Sequence, residues 1–198
     1  MLDIHILSII DVKNNFDKLI SFVDEERKEK VLKFIDKEKQ YQSLGSGYLI
    51  RKYISDKKIE YNEYGKPYCY DNIFFNVAHS NKYIVLLKCD YECGIDIEEI
   101  RDFNPKLINH SFNEEEQKEI KNNIDFFSSW TRKEAICKAQ GYGLFYQNIK
   151  TIPSREGIVE YLNEKYQTKS FNYKDYIISI ALKEFEDEFD ASFNKEKI

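Results

Sequence analysis

Apolar residues along the chain repeat with two different periods, and the changes of period mark out the elements. Met1–Ile10 alternates as a strand does, with Leu2, Ile4 and Ile6 on one side. From Asn14, a residue able to cap a helix, Phe16, Leu19, Ile20 and Val23 form a helical stripe. Asp24 can cap a second helix, Glu25–Ile35, with Val31, Phe34 and Ile35 inward and Arg27 and Lys30 outward. A third helix is predicted over Lys37–Tyr53. Its Ser43, Gly45, Ser46 and Gly47 lower helix propensity and point to close packing against a backbone or a ligand. A loop at Ser55–Lys58 and an extended piece at Ile59–Glu63 lead into Tyr64-Gly65-Lys66-Pro67, a turn by composition.

Ile73–Ala78 and Tyr83–Cys89 are predicted as a hairpin joined through His79-Ser80-Asn81-Lys82. In Cys93–Ile100 the alternation sends Ile95 and Ile97 inward and Asp96 and Glu98 together to the other face. After a polar stretch, Asn113 and Glu116 have capping-box spacing and start a helix to about Asn122; the acidic run Glu114–Glu116 is read as capping and solvated surface. Asp125 can cap Phe126–Gln140, which Gly141 closes. Short strands are predicted at Ile149–Ile152, Ile158–Leu162, Thr168–Tyr173 and Tyr176–Leu182. The charged Lys183–Ile198 reads as a terminal helix or a frayed tail. Both halves share one order of elements, with Met1–Ile10 matching Cys93–Ile100 and Tyr41–Ile54 matching Phe126–Ala139.

Composition narrows the function classes. The 198 residues carry a net charge of −5, so there is no global basic field for nucleic acid, and an anionic ligand needs a local basic patch. Cys69, Cys89, Cys93 and Cys137 follow no zinc spacing and read as reduced thiols of a cytoplasmic protein. There is no signal peptide, and no apolar run approaches the ~18 residues that span a bilayer.

The candidate chemistry sits in carboxylates. Asp96 and Glu98 share one pleat with Cα atoms about 6.5–7 Å apart, and two such groups repel unless a cation joins them. Oxygen ligands suit Mg²⁺. Spacing alone leaves a metal site and a solvated strand face both open. Trp130, Glu134 and Lys138 fall at i, i+4 and i+8 on one helix face. Glu134 is either a third ligand or a surface carboxylate paired with Lys138.

Gly94-Ile95-Asp96-Ile97-Glu98, followed by Trp130, Lys133, Glu134, Ala135, Lys138, Ala139, Gly141, Gly143 and Leu144, resembles the paired signature of the phosphopantetheinyl transferases, in particular the longer surfactin-type enzymes. That resemblance implies an α+β fold of two pseudo-symmetric α/β halves, 1–92 and 93–198, with the active site in the seam of a monomer. It implies Mg²⁺, or Mn²⁺ in its place, on Asp96, Glu98 and Glu134, with Glu134 also the base and Lys138 on the pyrophosphate. The donor is coenzyme A and the acceptor a serine of an acyl, peptidyl or aryl carrier domain. No nucleic acid or membrane partner is expected.

Arg27 and Lys30 match basic positions that contact the coenzyme. Gly65, Lys66 and Pro67 match a turn that lies against the adenine, and His79 falls in Phe75-Asn76-Val77-Ala78-His79-Ser80, which resembles F-N-x-S-H-S. Two positions depart from the family pattern: Ala78 stands where Ser is usual, and Gln42 where an Arg reaches the ribose phosphate. Gln42 and Ala78 put ribose-phosphate binding in doubt and suggest a weakened preference for coenzyme A over its dephospho form. They also keep open a non-catalytic carrier-domain or coenzyme A binding protein of the same fold. A Mg²⁺-dependent phosphodiester hydrolase sharing only D-x-E is a further alternative.

Overall fold

The computed structural model describes residues 2–55, 59–70, 73–143 and 148–198. Most of the predicted loop at Ser55–Lys58, and Leu144 of the second motif, lie outside the described residues.

Two sheets are wound in the same way. In the first, β1 (Leu2–Ser8) pairs antiparallel with β5 (Tyr83–Cys89), which pairs with β4 (Phe74–Ser80). In the second, β6 (Cys93–Glu99) pairs with β9 (Tyr176–Lys183), which pairs with β8 (Glu164–Tyr173), and β7 (Gly157–Tyr161) adds the far edge. The order β1-β5-β4 in the first sheet is repeated as β6-β9-β8 in the second. A short ribbon of β2 (Glu60–Tyr61) and β3 (Pro67–Tyr68) stands apart.

Each sheet turns one face into a shared core. Ile4, Ile6, Val85 and Leu87 meet Ile95, Ile97, Ile178 and Ile180 there, each buried aliphatic side chain contributing about 1.5–3 kcal/mol. Helices cover the outer faces. On the first sheet lie α1 (Ile9–Asn14), α2 (Phe16–Phe22), α3 (Glu25–Leu32) and α4 (Lys37–Tyr53). On the second, α5 (Lys106–Ser111) and α6 (Glu114–Glu119) precede α7 (Asn123–Gln140). The architecture is α+β, as the resemblance implies.

The edge strands β4 and β6 meet at the seam, where Ile95 N donates to Asn76 Oδ1 at 3.0 Å. α7 presses so closely on β6 that a Cβ on Gly94 would come within 1.9 Å of the Ala135 carbonyl oxygen. Only glycine fits there, and the close approach brings Asp96 and Glu98 beneath α7.

Several local expectations are corrected. Ile9 and Ile10 belong to α1, not to the first strand, and no side chain caps α2. α3 ends at Leu32, which leaves Ile35 98% exposed instead of inward. β4 runs on through His79 and Ser80, so the hairpin turn is Asn81-Lys82, with Asn81 at φ 42°. The polar stretch after β6 contains α5. Asn122, not Asp125, caps α7; the Asp125 carboxylate accepts from Lys121 N instead. Ile149–Thr151 is a 3₁₀ turn rather than a strand, because the Asn148 side chain accepts from Lys150 N. β8 begins at Glu164, ahead of the predicted Thr168.

The C-terminal tail is neither helix nor frayed. Phe193–Lys195 forms β10, parallel to β1, and Glu196 behind it is buried. Its carboxylate accepts from Lys52 Nζ at 2.8 Å and Tyr53 Oη at 2.6 Å, and bonds His5 Nδ1 at 3.0 Å.

Candidate active site

β6 places Asp96 and Glu98 on the face that α7 covers. Asp96 is 4% exposed, so this is a buried carboxylate and not a solvated strand face. Lys138 Nζ lies 2.5 Å from Asp96 Oδ1 and 3.9 Å from Glu134 Oε2. Glu98 accepts from Ser80 Oγ at 3.0 Å and pairs with Arg101 at 3.4 Å. Glu134 and Lys138 are one turn apart on α7 and face the same cavity, while Trp130 one turn earlier stacks on Phe126 as packing.

The charges act on one another. Burial pushes Glu134 up to about 7, the Asp96 and Glu98 charges add to that rise, and Lys138 opposes it. Burial also raises Asp96, against the pull of Lys138, and raises Glu98, with Asp96 adding to the rise. For Lys138, burial works against its charge, but Asp96 and Glu134 outweigh it and hold the ammonium above its ordinary value. The protein around His79 lowers its imidazole, and Lys138 lowers it further against Asp96, so the ring is neutral at pH 7.

The other wall of the cavity, about 260 Å³ in volume, comes from the Tyr64–Pro67 turn and from Asn76 and Val77 of β4. That turn is fastened to the end of α7. Asn62 Oδ1 accepts from Tyr64 N and Lys66 N at 3.0 and 2.8 Å, and Asn62 Nδ2 donates to the Gly141 carbonyl at 2.9 Å. Lys66 Nζ donates to the Ala139 carbonyl at 2.5 Å, satisfying a free carbonyl where the helix dipole favours a cation. Gly141, at φ 82°, closes the helix and leaves room for the Lys66 stem.

The remaining expected residues are distributed as follows. Gly65, Lys66, Pro67, Glu134 and Lys138 line the one cavity, with the Lys66 ammonium turned to the helix end. Ala78 points into the shared core and offers nothing to a ligand. Arg27 and Lys30 line a second cavity beside Tyr61. Gln42 donates to Glu38 at 3.3 Å, and Glu38 lines a third cavity, with Asn81 and Glu99.

Asn62, Asn76 and Ser80 were not singled out from sequence. Ser80 and Asn76 stand inside the F-N-V-A-H-S segment, which could have marked them; nothing marked Asn62 beyond its place before a turn. Glu116 caps α6 as expected but is not solvated surface: its Oε2 lies 2.6 Å from the wholly buried Lys133 ammonium, which also meets the Ile149 carbonyl at 3.1 Å and the Phe112 ring at 4.9 Å.

A divalent cation fits this donor set chemically. Asp96 Oδ2 is buried without a hydrogen-bond partner among the described residues, and the neighbouring donors are carboxylate oxygens. Among the described residues, however, no three His, Cys, Asp or Glu side chains converge closely enough to hold an ion. The Lys138 ammonium lies against Asp96 where a cation would bind.

Comparison with known proteins agrees with this geometry. The profile of the 4'-phosphopantetheinyl transferase superfamily matches residues 92–181, which hold β6, α7 and most of the second sheet. The chain is 32% identical over 188 residues to the 4'-phosphopantetheinyl transferase gsp of Aneurinibacillus migulanus, covering 88% of this chain and 75% of that one. It is 29% identical to the transferase ffp of Bacillus subtilis and 27% to Sfp of Bacillus subtilis strain 168, each over 65% of this chain and 64% of the relative. The likeness thus extends beyond the motif-bearing half, and the chain belongs to the 4'-phosphopantetheinyl transferase family.

Proposed function

We propose that this chain transfers the 4'-phosphopantetheine arm of coenzyme A to a serine hydroxyl of an acyl, peptidyl or aryl carrier domain. Adenosine 3',5'-bisphosphate leaves. The observation that carries the reading is Glu134, raised to about 7, which lines with Lys138 a cavity at the seam of two sheets and feels the charges of Asp96 and Glu98. A carboxylate so placed changes protonation near neutral pH, which suits a base that must take one proton from an alcohol.

The serine oxygen attacks the phosphorus that carries the pantetheine arm, and the bond to the bridging oxygen breaks with its electrons staying on the nucleotide. The serine proton goes to Glu134, directly or through water. Lys138 moves from Asp96 to the incoming pyrophosphate and offsets its charge. His79 donates one ring N–H to a phosphate oxygen. Asp96, Glu98 and Glu134 would hold a divalent cation only by drawing closer together than they lie here once Lys138 leaves Asp96, and that cation would supply charge neutralisation for the diphosphate. The Tyr64–Pro67 turn, held by Asn62 and Lys66, forms the adenine end.

We assign residues 1–92 to a coenzyme-binding half and 93–198 to a carboxylate-bearing half. Each has its own sheet in support, although β10 returns from the second half to the first. Because one chain supplies both walls of the cavity, we propose that it acts as a monomer. No helix among the described residues is long and apolar enough to cross a membrane, and we propose a cytoplasmic setting.

Chromatographic release of adenosine 3',5'-bisphosphate from coenzyme A, Mg²⁺ and an apo carrier domain tests the mechanism. Asp96→Ala, Glu98→Ala and Glu134→Ala should each lose at least about a hundredfold in rate. Near-normal turnover in any one of them removes it from the scheme.

A further inference from the structure

The carboxylates of the site stand on an edge strand. β6 pairs with β9 along one side; its other side meets β4, which belongs to the first sheet and forms no ladder with β6 among the described residues. We propose that Asn76 is a positioning residue of the site: its side-chain carbonyl takes the place of a ladder bond and fixes where β6, and with it Asp96, stands in the cavity. This rests on the transferase reading above.

Asn76, Ala78 and Ser80 alternate onto one face of β4. Ala78 fills the shared core, while the residues on either side of it reach across the seam. Ile95 N donates to Asn76 Oδ1 at 3.0 Å, and Ser80 Oγ donates to Glu98 Oε2 at 3.0 Å. Beyond them Asn81 Nδ2 donates to Glu99. Positions 76, 80 and 81 thus meet 95, 98 and 99 in the same order, and side chains join two strand edges that run in parallel.

Asn76 differs from the other two in what it holds. Ser80 and Asn81 bond carboxylates, which can swing, whereas Asn76 bonds main chain one residue before Asp96. That bond is shut away from water: Asn76 is 4% exposed and Ile95 is fully buried. A backbone N–H left without its acceptor there finds no water to replace it, so the strand would shift to recover a partner. Gly94, on the same strand, packs bare against α7, which leaves β6 fixed between that helix and Asn76.

Asp96 needs this support most during turnover. Its Oδ1 lies against Lys138, and its buried Oδ2 has no hydrogen-bond partner among the described residues. Once Lys138 leaves for the pyrophosphate, the placing of Asp96 depends on how its strand is held.

The test reads kinetics and amide hydrogen exchange on the same variants of the full chain. In wild type the Ile95 amide should exchange as slowly as the amides that β6 donates to β9. Asn76→Ala should speed it at least roughly tenfold while those ladder amides stay slow. The same variant should lose roughly tenfold to a hundredfold in kcat at saturating coenzyme A and Mg²⁺, with KM for coenzyme A within about threefold of wild type. Asn76→Asp keeps an acceptor oxygen at that point and should recover the slow exchange and part of kcat. Val12→Ala, in the outer core of the first sheet and away from the seam, should lower the melting temperature and leave kcat unchanged. Asn76→Ser serves if the alanine variant does not fold. A freely exchanging Ile95 amide in wild type overturns the positioning role, as does wild-type kcat in a variant whose Ile95 amide exchanges freely. A loss confined to KM overturns it too, since Asn76 would then be a contact of the coenzyme. A wild-type protein with a slow Ile95 amide but no turnover instead overturns the transferase reading.

Discussion

Replacing Glu134 with Gln should make the protein more stable at alkaline pH while abolishing its activity. The folded-state value of about 7 lies above the ordinary carboxylate value of 4.5, because burial and the charges on Asp96 and Glu98 disfavour ionisation. Between those two pH values the folded state binds more protons than the unfolded state, so wild-type stability falls as pH rises through the window. Above pH 7 the full penalty applies: the distance from 4.5 to about 7, at 1.36 kcal/mol per pH unit, is about 3 kcal/mol. Glutamine keeps the shape and never ionises.

Urea unfolding in the presence of a chelator and without coenzyme A should therefore show Glu134→Gln about 3 kcal/mol more stable than wild type at pH 8, the gain shrinking toward zero at pH 4.5. Added Mg²⁺ should stabilise wild type at pH 8 more than the variant. A variant no more stable than wild type at pH 8 would refute the reasoning, since Glu134 would then ionise in the fold without strain. The same balance explains why a stabilising residue is not found there: the site keeps a poorly placed charge for its chemistry.

Other perturbations follow from single contacts. Glu116→Gln strands the wholly buried Lys133 ammonium and should cost about 3–5 kcal/mol in urea unfolding, most of it recovered in Lys133→Met/Glu116→Gln; a cost below about 1 kcal/mol would mean the pair is not buried in solution. Gly94→Ala puts a Cβ within 1.9 Å of the Ala135 carbonyl and should lower stability by about 3 kcal/mol or more, seen as a lower melting temperature. Burial alone would raise Glu196, but Lys52, Tyr53 and His5 hold it below its ordinary value. Its contribution is therefore present above the unfolded value and lost as pH falls through the lower folded one. Glu196→Gln should weaken the fold at pH 7 and bring the two proteins together on acidification, and an equal deficit at low pH would contradict this.

Much of this protein was legible before its fold was seen, for definite reasons. The alternation of Cys93–Glu99 reports a strand, and the 3.6-residue spacing of Trp130, Glu134 and Lys138 reports a helix face, because each pattern depends on a single local period. The capping box at Asn113 and Glu116 is local in the same way. What sequence could not show is which face a neighbour covers. Asp96 reads as equally ready for water or for a ligand until α7 is placed over it. Lys66 looked like part of a coenzyme turn, and only the fold brings the end of α7 within its reach. Phe193–Lys195 becomes a strand through pairing with β1, at the far end of the chain, which no window of local residues contains.

The most direct measurement is the mass of an apo carrier domain after incubation with this chain, coenzyme A and Mg²⁺. The account predicts a gain equal to one phosphopantetheine arm on a single serine, absent when Asp96→Ala replaces wild type. A carrier whose mass is unchanged by the folded, metal-supplied wild-type protein, across acyl, peptidyl and aryl carrier domains, would contradict it.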